Sequence, residues 1–110
     1  MQDVIVRGQS TDGAIRIFVA VTTDMVNEAQ KIHTTFPVAT AALGRTLTAA
    51  AMMGQGLKND TDSITIQFRG DGLLGNMVAI TDNLSQVRGY VVNPFVDLPL
   101  NKNDAPEKML

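Results

Sequence analysis

Few residues in this sequence combine the type and the neighbours that chemistry needs. His33 is the only histidine. It falls beside Lys31 near a predicted helix end, where a cation suits the negative end of the helix dipole. No serine or cysteine sits near it in a nucleophile elbow, and a catalytic histidine needs a placed partner. A structural or surface role is the expectation. The run Gly70-Asp71-Gly72-Leu73-Leu74-Gly75 offers backbone N–H groups of the kind that cradle phosphate. A phosphate loop feeds a helix, however, and this run lies between two strand-like segments, so it reads as a hairpin turn. Gly44-Arg45-Thr46 looks like the tail of a Walker motif, but Arg stands where Lys belongs and Ala39 where the first glycine belongs, which rejects it. Asp60, Asp62, Asp71 and Asp82 fall in turns without the ligand spacing and closing Glu of a calcium loop. Cysteine is absent, which removes disulfides, thiolate catalysis and zinc–thiolate sites. The expectation is no catalytic residue, no cofactor-binding residue and no functional metal in this chain, hence not an enzyme. A small enzyme or nucleotide binder whose residues match no motif stands as a minor alternative.

Two further groups bear on binding. Arg45 is a charge within an apolar segment; it is expected either to pair with Asp24 or Glu28 or to serve a binding surface. Met25, Met52, Met53 and Met77 fall at core-like positions. Flexible thioethers fill cores, and they also suit surfaces that accept varied apolar partners; core filling is the favoured reading.

The elements that position these residues are legible. Asp3 to Ser10 and Ala14 to Thr22 read as a hairpin around Thr11-Asp12-Gly13. Ile15, Ile17, Val19 and Val21 share one face, and Arg16, Phe18 and Ala20 the other. Thr23 or Asp24 is expected to cap a helix carrying Met25, Val26, Ala29 and Ile32 at helical spacing. Thr34-Thr35-Phe36 breaks it, and Pro37 opens a second helix to about Leu57. This helix is apolar or small nearly all round, with Leu43, Leu47, Ala50 and Ala51 as its main stripe. Such a helix is buried on several sides or spans a membrane. Arg45 near its middle costs ~2.5 kcal/mol or more on insertion, and the alanines and glycines offset little, so burial is expected. Ser63 to Phe68, Leu74 to Thr81 and Gln86 to Val92 read as a β-meander. Pro94 ends it. Val96, Leu98 and Leu100 alternate in a last piece that Pro99 limits to an edge or an extended arm.

The predicted fold class is therefore α+β: an N-terminal hairpin, two helices and a β-meander, with the long helix between sheets in β/α/β layers. At 110 residues the chain is one domain or part of one. A net charge of -2 supplies no basic stripe for phosphate backbones, so no nucleic-acid partner and no membrane partner are expected. The N-terminus MQDVIVRGQ lacks a signal-peptide pattern, and a cytoplasmic location is the default.

The order of these segments is informative. TTDMVNEAQ, AALGRT, the G-D-G-L-L-G turn and VRGYVVNP, in this order, resemble the N-terminal part of the redox-regulated holdase chaperone family, heat-shock protein 33, in its Gram-positive form. The resemblance runs from the hairpin before Thr22 to about Asn101. It implies an ATP-independent cytoplasmic chaperone that holds unfolding client proteins during oxidative and heat stress. It also implies a C-terminal zinc domain with C-x-C and C-x-x-C motifs, whose oxidation releases zinc and activates client binding. This chain has none of those cysteines. Residues 1–110 are expected to be the N-terminal portion of the substrate-binding core domain, without the zinc and redox domain and with no cofactor of its own; zinc is expected in the parent protein. The function expected is that of a holdase fragment lacking its redox switch. The alternative is a structural half-domain without independent client binding. No client-binding residue is assignable, because every apolar stripe also reads as core. Unpaired strand edges and apolar surface lead to the expectation of self-association.

Overall fold

The computed structural model describes residues 2–96. Strands β1 (Val4–Gln9) and β2 (Arg16–Val21) pair antiparallel, with Val4 opposite Val21 and Gln9 opposite Arg16. The connection is held locally. Gly13 N–H donates to the Ser10 carbonyl at 2.9 Å. The Asp12 carboxylate accepts from the Ser10 hydroxyl at 2.6 Å and from the Ala14 N–H at 3.0 Å. These donors, the serine hydroxyl foremost, hold the Asp12 carboxyl below its ordinary value.

Helix α1 spans Thr23–His33 and helix α2 Pro37–Gly54. The cap of α1 differs from expectation. The cap position is Thr22, and its side chain does not bond the helix backbone. Its hydroxyl lies 2.8 Å from that of Thr48 instead. The free N–H groups of Asp24 and Met25 donate to the two carboxylate oxygens of Asp3, at 3.0 and 2.8 Å. A carboxylate at a helix N-terminus satisfies orphan donors and complements the dipole, a stabilisation of about 1 kcal/mol. It also ties the start of β1 to α1. Thr34, at φ 53°, terminates α1 in the left-handed conformation. Pro37 then occupies the first turn of α2, where its missing N–H costs nothing.

α2 stops at Gly54 and not near Leu57. The N–H groups of Gln55, Gly56 and Leu57 bond three residues back, to Met52, Met53 and Gly54, which tightens the chain out of the α-helix. Strands β3 (Ser63–Phe68), β4 (Met77–Asp82) and β5 (Val87–Val91) form an antiparallel sheet in the order β3-β4-β5. β4 begins later than the sequence pattern placed it. Leu74 is instead a fully buried plug in the β3–β4 connection. The connection is fastened to the chain after β5: Asn93 N–H donates to the Leu74 carbonyl, and the Asn93 side-chain amide to that of Leu73 at 2.7 Å.

The core lies between α2 and this sheet. Val38, Ala39, Ala42, Leu43, Leu47 and Ala50 meet Leu74, Met77, Ala79 and Val91. Each large aliphatic side chain so buried stabilises the fold by ~1.5–3 kcal/mol. The expected stripe of Leu43, Leu47, Ala50 and Ala51 is buried throughout. The architecture is α+β as predicted. α2 has the three-stranded sheet on one side and touches the hairpin through β2. The expected arm beyond Val96, with Leu98 and Leu100, lies outside the described residues.

Candidate functional site

Covering α2 on its sheet side leaves other parts of its surface open. Ala41, Thr48, Ala49 and Met52 are only half-buried, and Arg45 is exposed. Together with Val26 and Gln30 of α1 they line a groove of about 730 Å³. Close approach of the two helices makes its floor. A Cβ at Gly44 would stand 2.8 Å from Val26 Cγ1, so only glycine lets α1 lie this near.

The groove is apolar although threonines line it, because their hydroxyls bond inward. Thr48 Oγ1 donates to the Gly44 carbonyl at 2.8 Å. A hydroxyl has one proton to give, so Thr22 is the donor in the Thr22–Thr48 contact. Thr40 is 3.0 Å from the Phe36 carbonyl and 2.6 Å from the Thr35 hydroxyl. Among the described residues no buried side-chain polar atom lacks a partner. The threonines therefore present methyl groups to the groove, and Arg45 stands at its side as a charge.

A second apolar surface lies on the outer face of the hairpin. Val4, Val6, Ile15, Ile17 and Val19 are 47–61% exposed. The register brings them together, with Val6 opposite Val19 and Val4 opposite Val21. Phe18 and Ala20 point to the other side and are half-buried. An exposed cluster of β-branched side chains on one sheet face marks a contact surface more often than a bare exterior.

The residues singled out from the sequence are scattered. His33 is half-buried in a separate cavity of about 240 Å³, with Met25, Leu47 and Arg88. Glu28 lines that cavity too, whereas Arg45 lines the groove. The Gly70–Gly75 run connects two strands. Asp62 accepts from Asn59, and Asp82 accepts from the N–H groups of Leu84 and Gln86. Among the described residues no three acidic or histidine side chains converge as metal ligands. The methionines divide. Met77 is buried and Met25 packs against the core. Met52 and Met53 correct the core reading, since Met52 lines the groove and Met53 is 49% exposed. The groove itself had one signal in the sequence, the small side chains that α2 carries on the face away from Leu43 and Leu47.

A central helix packed on a three-stranded sheet, with an apolar groove left open beside it, offers a surface suited to binding. The comparisons give the chain's family. Residues 3–109 match the family described as Hsp33 protein. The chain is 54% identical over 101 residues to the 33 kDa chaperonin of Acetivibrio thermocellus, covering 92% of this chain and 34% of that protein. It is 51% identical over 100 residues to the 33 kDa chaperonin of Staphylococcus carnosus, covering 91% of this chain and 34% of that one. The crystal structure of the 33 kDa chaperonin (Hsp33 homologue) of Thermotoga maritima superposes with a TM-score of 0.87 at 33% identity, over 94% of this chain and 35% of that chain. The chain belongs to the Hsp33 family. It spans about a third of the length of these relatives.

Proposed function

We propose that this chain is client-contacting surface of an ATP-independent holdase. The observation that carries the reading is the groove beside α2, whose threonines are internally satisfied and whose lining is apolar. Unfolding proteins expose apolar side chains of no fixed sequence, and a groove of methyls, alanines and a methionine accepts them without demanding matched hydrogen bonds. In this reading the protein acts in the cytoplasm. The zinc-binding, oxidant-sensing cysteines of the family belong to sequence outside these 110 residues. Among the described residues no helix is long and apolar enough to cross a membrane, and the net charge of -2 favours no nucleic acid.

The test is suppression of light scattering by a thermally unfolding client without ATP. Ala41→Glu places a carboxylate in the groove, where an apolar client segment would have to desolvate it. Client affinity is expected to fall on the order of tenfold. The melting temperature should move by only a few degrees, because Ala41 borders open space. Unchanged suppression by the folded variant would remove the groove from the reading.

A second reading has its own support. The relatives are about three times as long as this chain, so the groove and hairpin face are also natural seats for further parts of such a protein. In that case the 110 residues are a structural half-domain, and the wild-type chain suppresses nothing.

With either reading goes self-association through the outer hairpin face. Light scattering behind gel filtration across a dilution series should give a mass above 11.8 kDa that falls on dilution. Val6→Lys with Val19→Lys, which sit opposite each other, should return it to the monomer. A monomeric wild type at high concentration would exclude it.

A further inference from the structure

The hairpin's inner face carries two arginines that the groove does not use. Arg7 is opposite Phe18, and Gln9 is opposite Arg16, so Arg7 and Arg16 are diagonal neighbours on one face. They line a cleft of about 380 Å³ with Gln9, Phe18 and Gln55. At Arg16, Phe18 and Gly56 this cleft continues into a hollow of about 460 Å³ walled by Ala49, Met52 and Met53. Among the described residues no carboxylate lines either part. The combined cleft thus has a cationic end and an apolar, methionine-walled end, in a chain whose net charge is -2.

Two guanidiniums that line one cleft repel as they approach, and an anion between them relieves the repulsion while accepting their forked donors. Gln55 adds a directional requirement. Its side-chain amide donates to Ser85 Oγ at 2.7 Å. That bond fixes the amide and leaves its oxygen as an acceptor, which matches a peptide N–H and has nothing to meet in a fatty-acid carboxylate.

The geometry points to a peptide ligand: a client segment in which an apolar side chain is followed by an acidic residue, the apolar group between Phe18 and Met52 and the carboxylate on Arg7 and Arg16. This deepens the holdase reading by naming a preference among clients, and it rests on that reading.

The test uses the 110-residue chain and three dye-labelled synthetic peptides sharing one apolar core, flanked by Asp, by Ser or by Lys. Fluorescence anisotropy at low salt is expected to show the Asp-flanked peptide binding about tenfold tighter than the Ser-flanked one, with the preference falling as salt rises. Arg7→Gln with Arg16→Gln removes the preference while leaving Ser-flanked binding and the melting temperature in place. Binding of the Ser-flanked peptide with no Asp preference, or a preference that survives the double variant, overturns this proposal alone. Failure of all three peptides to bind overturns it together with the holdase reading. Displacement of the Asp-flanked peptide by laurate, but not by unlabelled Asp-flanked peptide, overturns it in favour of an anionic amphiphile.

Discussion

Leu47→Asp is expected to unfold the protein. Leu47 is 3% exposed on the sheet side of α2. Its Cδ2 lies so close to β5 that a Cβ at Gly89 would stand 3.1 Å from it. The substitution removes an aliphatic side chain worth ~1.5–3 kcal/mol of burial. It also places an unpaired carboxylate where water is excluded, which adds several kcal/mol. A domain of this size has roughly 5–15 kcal/mol in total, and one that buries a modest fraction of its surface belongs near the lower end. The loss is therefore comparable with the whole stability.

Arg88 and His33 line the small cavity that Leu47 also borders, so a carboxylate has possible partners there. Leu47→Asn controls for them: it puts an uncharged polar group at the same place, with no charge for Arg88, His33 or Glu28 to pair, and is expected to unfold the protein too. Circular dichroism on both variants gives the answer. A cooperative melt within a couple of degrees of the parent would mean that this face of α2 is open, and would move the client surface to it. Survival of the Asp variant alone would mean that Arg88 or His33 reaches the carboxylate.

The reason Leu47 could be selected from sequence is instructive about what else could be. The stripe of Leu43, Leu47, Ala50 and Ala51 recurs at helical spacing, and β3 alternates strictly from Ser63 to Phe68; both are where the structure has them. Periodicity encodes which residues share a face. It does not encode how much of a helix its neighbours will cover. α2 is apolar nearly all round, yet Ala41 and Met52 stay partly open, and that openness makes the candidate site.

Contacts between distant residues were equally silent. Asp3 caps α1 from 21 residues away, a pairing that requires β1 to begin beside the helix. Arg7 and Arg16 look unrelated in the sequence until the hairpin register sets them diagonally. Leu74 continues a strand-like alternation, but its backbone serves the connection that Asn93 fastens. The fold was legible because it follows from local pattern. The site was mostly illegible because it is a surface left over after the elements pack.

Gly54→Ala is the sharper test of that packing, because two effects of opposite sign compete. Gly54 is the last residue of α2, and alanine there improves intrinsic helix propensity by up to ~1 kcal/mol. Against this, an added Cβ would lie 2.6 Å from the Asp82 carbonyl oxygen and 2.7 Å from Thr81 Oγ1. Neither atom is free to retreat. The Asp82 carbonyl accepts the Ser85 N–H at 3.1 Å, and Thr81 is a fully buried residue of the central strand. The Ser85 hydroxyl donates to the Ala51 carbonyl at 2.7 Å while receiving the Gln55 amide, so the turn after β4 is fastened to the end of α2. Opening the contact by the needed distance disturbs these bonds together. Overpacking of this kind costs ~1–3 kcal/mol, and the severed bonds add to it. Gly54→Ala is expected to lower stability by about 2 kcal/mol net, and Gly54→Val to prevent folding, as measured by urea titration. The sign decides the matter. Stabilisation by alanine would mean that the helix end moves away from β4 at little cost, and that the seam between the end of α2 and the sheet is not tight.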